Sequence, residues 1–178
     1  MPADATLRAP ITMTLTDFTC PGLVIPRLRG HDAASIIQEL SQVLQREKRV
    51  EDLLPFYHAA LNREYMASTD IAAGMALPHA RLAALKELTF ALGRSDEPLV
   101  WSAKSYRAVQ LIFLIAVPAT DSTQYLSLIS ALSRLAKNAR LMEKLRTARD
   151  TCQMMEVMKQ VELRTSAGTG AAPKGTPC

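Results

Sequence analysis

Aromatic residues are scarce in this 178-residue chain, at 5%, and no basic stripe is interleaved with them. Basic residues are instead scattered among acids, as in Glu47-Lys48-Arg49-Val50-Glu51. Both facts argue against a nucleic-acid surface, despite a net charge of +4 and a pI of about 9.1. Solvated helix faces account for the charges. Long apolar runs are also missing. The longest, Leu111–Pro118, is far too short to cross a bilayer. Ile11–Leu15 is broken by threonines and followed by Asp17, which makes a poor signal-peptide core. A cytoplasmic protein with no membrane insertion is expected. Closely spaced cysteines are absent too. Cys20, Cys152 and Cys178 lie far apart with no CxxC or CxxH spacing, so a structural zinc site is not expected. An odd count without close pairs fits a reducing compartment and incidental thiols. No metal and no cofactor are expected.

What the chain does have is core-forming sequence. It is 48% hydrophobic and 21% charged, enough for one ordinary domain with a proper core. Residues 1–10 carry no periodic pattern and read as a flexible leader. The end of the chain is rich in Gly, Ala, Pro, Ser and Thr and buries too little apolar surface to offset its ordering entropy. The expected division is therefore a leader over 1–10, a domain over 11–163 and a disordered tail over 164–178. There is no internal repeat.

The pattern predicts a strand over Gly22–Leu28. A helix capped by Asp32 follows, with Ala33, Ile36, Ile37, Leu40, Val43 and Leu44 on one face. A second helix is expected from about 51 to 66, with Leu54, Tyr57, Leu61 and Tyr65 on one side and Pro55 in its first turn. Met75–Ala80 is short and extended, because Pro78 disfavours helix at Leu77. Leu88, Phe90 and Leu92 alternate with Thr89 and Ala91 as in a half-buried strand. Val109–Val117 reads as a strand buried on both faces. Three more helices are expected, capped by Asp121, Asn138 and Asp150, and their methionines read as core. This order predicts a mixed sheet with helices on both faces.

His79 stands out among the three histidines. His31 beside a helix start and His58 within a helix share no ligand spacing. His79 ends a short extended segment that Pro78 makes rigid. A neutral, edge-placed imidazole is suited to attack phosphorus and form a transferable phosphoramidate. A Pro-His pair alone fits a structural role more readily.

The whole segment from Asn62 to Arg81 adds to this. It resembles the enzyme IIA domains of the fructose/mannitol type in the bacterial sugar phosphotransferase system, together with their nitrogen-regulatory relatives. That family shows an Arg-Glu pair, then Ser/Thr-Thr-Gly-Ile-Gly-x-Gly, then Ala-Ile/Leu/Val-Pro-His-Ala/Gly. Arg63-Glu64, Ser68-Thr69, Ile71, Gly74, Ala76, Pro78 and His79 fall in that register without a gap. The similarity continues through Ala91-Leu92-Gly93-Arg94, Pro98, Trp101 and Leu111–Pro118. The resemblance implies an α+β fold, a three-layer α/β/α sandwich with a mixed β-sheet flanked by helices. It implies phosphorylation of His79 by the phosphocarrier HPr or a nitrogen-branch equivalent. Arg63 is then expected beside His79, gripping phosphate through its planar fork; without the motif it reads as a solvated charge at a helix end. Ser68 and Thr69 fit phosphate donors or turn and cap residues equally. Arg81 fits a partner contact or an exposed side chain.

Two places depart from the family pattern. Asp70 and Ala72 stand where glycine is usual. Alanine tolerates the left-handed region poorly, and Asp70 brings negative charge toward a phosphate if the loop keeps the family's course. Tyr125 stands where many members carry a second histidine; it keeps a hydroxyl donor and loses a positive charge. Two functions follow. One is a working phosphocarrier that takes the group from HPr and passes it to a separate IIB subunit or a regulatory target. The other is a non-catalytic module that keeps the IIA fold and binds a partner.

Overall fold

Pro21 and Pro26 bracket the first element, and neither has an N–H for a strand ladder. In the computed structural model, which describes residues 12–164, the strand expected over Gly22–Leu28 therefore shrinks. Pro21–Leu23 forms a 3-10 turn and only Val24–Ile25 pair as β1. The expected leader over 1–10 and the tail over 164–178, Arg164 apart, lie outside the described residues.

Helix α1 spans Ala33–Arg46. It starts where the Asp32 carboxylate accepts the Ser35 N–H at 2.7 Å, satisfying one of the first-turn donors. Its expected apolar face is buried from Ile36 to Leu44, with Ala33 half-buried at the start. Helix α2 spans Leu53–Met66 with Pro55 in the first turn. Its buried face is not the one the periodicity suggested. Phe56, Ala60 and Glu64 point inward, whereas Leu54 and Tyr65 are exposed at 62% and 64%. A carboxylate on the inner stripe hid the true face.

Five strands follow: β2 (Asp70–Ile71), β3 (Met75–Ala76), β4 (His79–Leu82), β5 (Thr89–Val100) and β6 (Ala108–Pro118). Thr89–Gly93 is buried at every position, so the expected half-buried alternation is corrected: helices cover both faces there. Helices α3 (Thr123–Lys137), α4 (Ala139–Thr147) and α5 (Thr151–Met158) close the fold. Asn138 and Asp150 cap α4 and α5 as expected. Asp121 lies one residue before the N-cap of α3, yet its carboxylate accepts the Gln124 N–H at 3.1 Å.

The mixed six-stranded sheet runs β1-β5-β6-β3-β2, with β4 also on β6. Strand β6 is central, and Val109 and Leu111–Val117 are fully buried; each of its buried Val, Leu, Ile and Phe side chains contributes about 1.5–3 kcal/mol. One apolar cluster joins the sheet to α3, α4 and α5. The other joins it to α1 and α2. This is the expected three-layer α/β/α sandwich. Cys152 is exposed and free, but Cys20 is disulfide-bonded rather than an incidental thiol. No helix among the described residues is long and apolar enough to cross a membrane.

One detail of the sheet positions the site. Strands β3 and β4 lie parallel to β6 in a single register, Met75 opposite Leu111 and His79 opposite Ile115. They are one strand interrupted at Leu77-Pro78. At the gap the Ile115 N–H donates to the Pro78 carbonyl at 2.9 Å, and the Leu77 N–H turns to Thr69 at 3.1 Å. His79 is the first residue after that break.

Candidate functional site

The interruption frees the Leu77 carbonyl from the sheet, and the His79 ring uses it. Nδ1 lies 3.0 Å from that oxygen. A carbonyl only accepts, so Nδ1 carries the proton and the lone pair sits on Nε2. The pKa of His79 is held below its ordinary value. Burial is the main cause, opposed by the Leu77 contact; Arg63 and Arg81 lower it further, and Glu64 raises it. The ring is therefore neutral near pH 7, with one tautomer fixed and Nε2 available as a nucleophile.

His79 opens on a cleft of about 370 Å³ lined by Ala59, Arg63, Ala80, Arg81, Val117 and Tyr125. Arg63 reaches it from the last turn of α2. One of its terminal nitrogens donates to the Ala67 carbonyl at 2.8 Å, which caps the helix and aims the rest of the fork. Tyr125 enters from the first turn of α3, its ring centroid 5.9 Å from that of His79 at an angle of 50°. The Arg81 guanidinium lies 5.3 Å from the Tyr125 centroid. A histidine, two arginines and a tyrosine thus meet in one cleft. Arg63 and Tyr125, both singled out in the sequence, line the same cleft as His79.

Ser68, Thr69 and Asp70 are placed differently. They do not line the cleft; they belong to a clasp built on Glu64. This carboxylate, on the inner face of α2, accepts from the Thr69 N–H at 2.8 Å, the Ser68 hydroxyl at 3.1 Å, the Trp101 indole N–H at 2.8 Å and the Thr69 hydroxyl. The Ser68 hydroxyl shares its one proton between Glu64 and Asp70, and the other Asp70 oxygen lies 3.8 Å from the Arg107 guanidinium. The clasp reaches the histidine through the backbone, because the Thr69 carbonyl that accepts from Leu77 belongs to the held loop. Glu64 and Trp101 stand in the matched motif, but sequence reasoning gave them no role. The signal was the spacing Phe56, Ala60, Glu64, which puts a carboxylate on a buried stripe. Arg81, expected as a partner contact or an exposed side chain, also lines the cleft. Its reach into the cleft depends on the turn after β6, a long-range contact.

This arrangement can bind an anion against an unprotonated imidazole. A family model described as "Phosphoenolpyruvate-dependent sugar phosphotransferase system, EIIA 2" matches residues 18–161. The chain belongs to this family. It is 26% identical over 151 residues to a nitrogen regulatory protein of Bradyrhizobium diazoefficiens, covering 82% of this chain and 95% of that one. It is 34% identical over 113 residues to a fructose-specific EIIA component of Haloferax volcanii, covering 64% and 73%. Its fold matches the mannitol IIA of Escherichia coli solved in complex with phosphorylated IIB, at TM-score 0.66 and 15% identity over 77% of this chain and 94% of that one. Its relatives therefore include sugar-type and nitrogen-regulatory IIA proteins.

The two departures from the IIA pattern now separate. Left-handed backbone falls on Ala73 and Gly74, at φ 70° and 74°, and not on Asp70 or Ala72. The strain expected at Ala72 is absent. The Ala73 conformation is held by Arg146, whose guanidinium donates to the Ala73 carbonyl. Asp70 spends its charge beside Arg107. Of the departures, Tyr125 alone lies in the IIA cleft.

Proposed function

We propose that this IIA-family chain is a phosphocarrier of the phosphotransferase system, its working unit being the domain over 11–163. His79 Nε2 takes a phosphoryl group from an HPr-type protein. It then passes the group to a separate IIB partner, or holds it as a regulatory signal. The supporting observation is the His79 ring itself, with Nδ1–H tied to Leu77 and Nε2 left in a cleft beside two guanidiniums. In the transfer the Nε2 lone pair forms the new bond to phosphorus. The bond to the donor nitrogen breaks, and its electron pair returns to that nitrogen. The protein need only align the reactants and neutralise the equatorial oxygens, and charge-assisted arginine contacts do so. On this reading the protein works in the cytoplasm, where its donors are.

The test is incubation with enzyme I, HPr and phosphoenolpyruvate, followed by intact mass. The protein gains one phosphoryl group, labile to acid and stable to base. His79→Gln abolishes the gain and keeps the thermal unfolding profile cooperative. A His79→Gln protein labelled as well as wild type sinks the assignment.

A second reading rests on Tyr125, which occupies the cleft without a positive charge. Here the chain is a binding module. It takes up almost no phosphoryl group, and it holds its partner equally well with histidine or alanine at position 79.

A further inference from the structure

The carrier reading leaves a charge unassigned. A bound phosphoryl group adds about −1.5 to −2 charges at neutral pH, and Arg63 supplies one positive charge. Tyr125 does not supply the other. A phenol is neutral when protonated and negative when not, and burial holds its pKa above the ordinary value.

Arg81 is the remaining cation of the cleft. It sits two residues after His79 on β4, so both side chains leave the same face of the strand; Ala80 between them is buried. One terminal nitrogen of its guanidinium donates to carbonyls of the turn after β6, at 3.3 Å to Pro118, 3.5 Å to Ala119 and 3.1 Å to Asp121. The plane of Tyr125 lies beneath it. Anchoring through one nitrogen leaves the other edge of the fork for an oxyanion. Among the described residues no carboxylate pairs with Arg81. The nearest acid of that turn, Asp121, gives its carboxylate to the Gln124 N–H.

We propose that Arg81 is a second phosphate-gripping residue of this site, seated by the Tyr125 ring and the carbonyls of the β6–α3 turn. The proposal rests on the carrier reading for its ligand, a phosphoryl group on His79 Nε2. Two guanidiniums then face a group of nearly two negative charges. The two guanidiniums are positive charges in a planar fork, so the phosphorylated state is neutralised without a second histidine. The Tyr125 ring acts as the platform that holds Arg81 toward the His79 ring. Arg81 also lowers the His79 pKa, as a positive charge facing that ring does.

Arg81→Gln is the informative variant, because it removes the charge and keeps a polar side chain on the same face of β4. Wild type and R81Q are labelled with enzyme I, HPr and phosphoenolpyruvate, then desalted. Loss of the phosphoryl group is followed by intact mass at neutral pH. R81Q loses it about tenfold faster, the effect of one charge-assisted hydrogen bond, and R81K recovers part of the difference. Inorganic phosphate added to the unlabelled protein and followed through the His79 ring resonances reads the same contact without transfer. R81Q and R63Q each weaken that binding. A wild type that takes up no phosphoryl group, yet loses phosphate affinity on R81Q, overturns the carrier reading and supports Arg81 as an anion contact. Equal lifetimes and equal phosphate affinities in wild type and R81Q, at matched melting temperatures, overturn the Arg81 assignment and leave the carrier reading standing.

Discussion

Glu64 and Arg63 are neighbours on α2, and the regions they serve contrast sharply. Glu64 faces the interior, where its carboxylate accepts four hydrogen bonds from Ser68, Thr69 and Trp101. Arg63 spends one contact on Ala67 and faces a cleft it shares with a second guanidinium. Saturated buried polar groups hold a structure together. Cations left uncommitted beside a neutral imidazole bind something that arrives. The clasp builds the loop, and on the carrier reading the cleft carries the chemistry.

The largest effect on this contrast comes from breaking the clasp. Glu64→Ala leaves the Trp101 and Thr69 N–H groups without their acceptor in the interior, at a cost on the order of 3 kcal/mol. Thermal or urea unfolding reads the loss directly. Because the Thr69 carbonyl holds Leu77 and the Leu77 carbonyl holds His79, labelling of His79 falls as well. Glu64→Gln keeps one acceptor oxygen and costs less. If Glu64→Ala melts with wild type, the clasp is not what holds the loop.

The intermediate effect sets the two departures from the IIA pattern against each other. From the sequence, Asp70→Gly and Tyr125→His both improve a phosphorylated state, one by removing a like charge and one by adding an imidazole. The structure separates them. Asp70 sits beside Ser68 and Arg107 outside the cleft, so Asp70→Gly lowers stability by about 1 kcal/mol and leaves the phosphohistidine lifetime unchanged. Tyr125→His acts inside the cleft and changes the lifetime with little change in melting. Intact-mass decay curves beside thermal melts separate the two variants. A lifetime that moves with Asp70→Gly and not with Tyr125→His would reverse the assignment of regions.

The same contrast explains which parts were legible in sequence. Local signals survived: the Asp32, Asn138 and Asp150 caps, the α1 stripe, and the β6 run all appear where periodicity and cap chemistry put them. The α2 face did not survive, because Glu64 sits among apolar neighbours and Leu54 and Tyr65 imitate a core stripe. The alternation at Thr89 and Ala91 misled because helices cover both faces of the sheet. In the site, His79, Arg63 and Tyr125 follow from a contiguous motif. Arg81 and the clasp do not, since both depend on partners 37 residues or more away or on which side of a helix faces in.

The smallest effect is a pH dependence that belongs to His79 alone. Its pKa in the folded protein lies below the ordinary value of 6.5, chiefly through burial. Between those two values the unfolded chain binds a proton that the folded ring refuses. Unfolding therefore takes up protons, and stability rises with pH across that window. The contribution is fully present above about pH 6.5 and is lost as the pH falls toward the folded-state pKa, below which it no longer changes. His79→Gln removes this one dependence and no other. The difference in unfolding free energy between wild type and His79→Gln, followed from about pH 7.5 to about pH 5, shifts against wild type as acid is added. Labelling falls only as the pH drops through the folded-state pKa, because the protonated ring has no lone pair on Nε2. A parallel pair of stability curves would mean that the ring titrates as freely as a solvated histidine, and that the cleft neither buries it nor presses two guanidiniums on it.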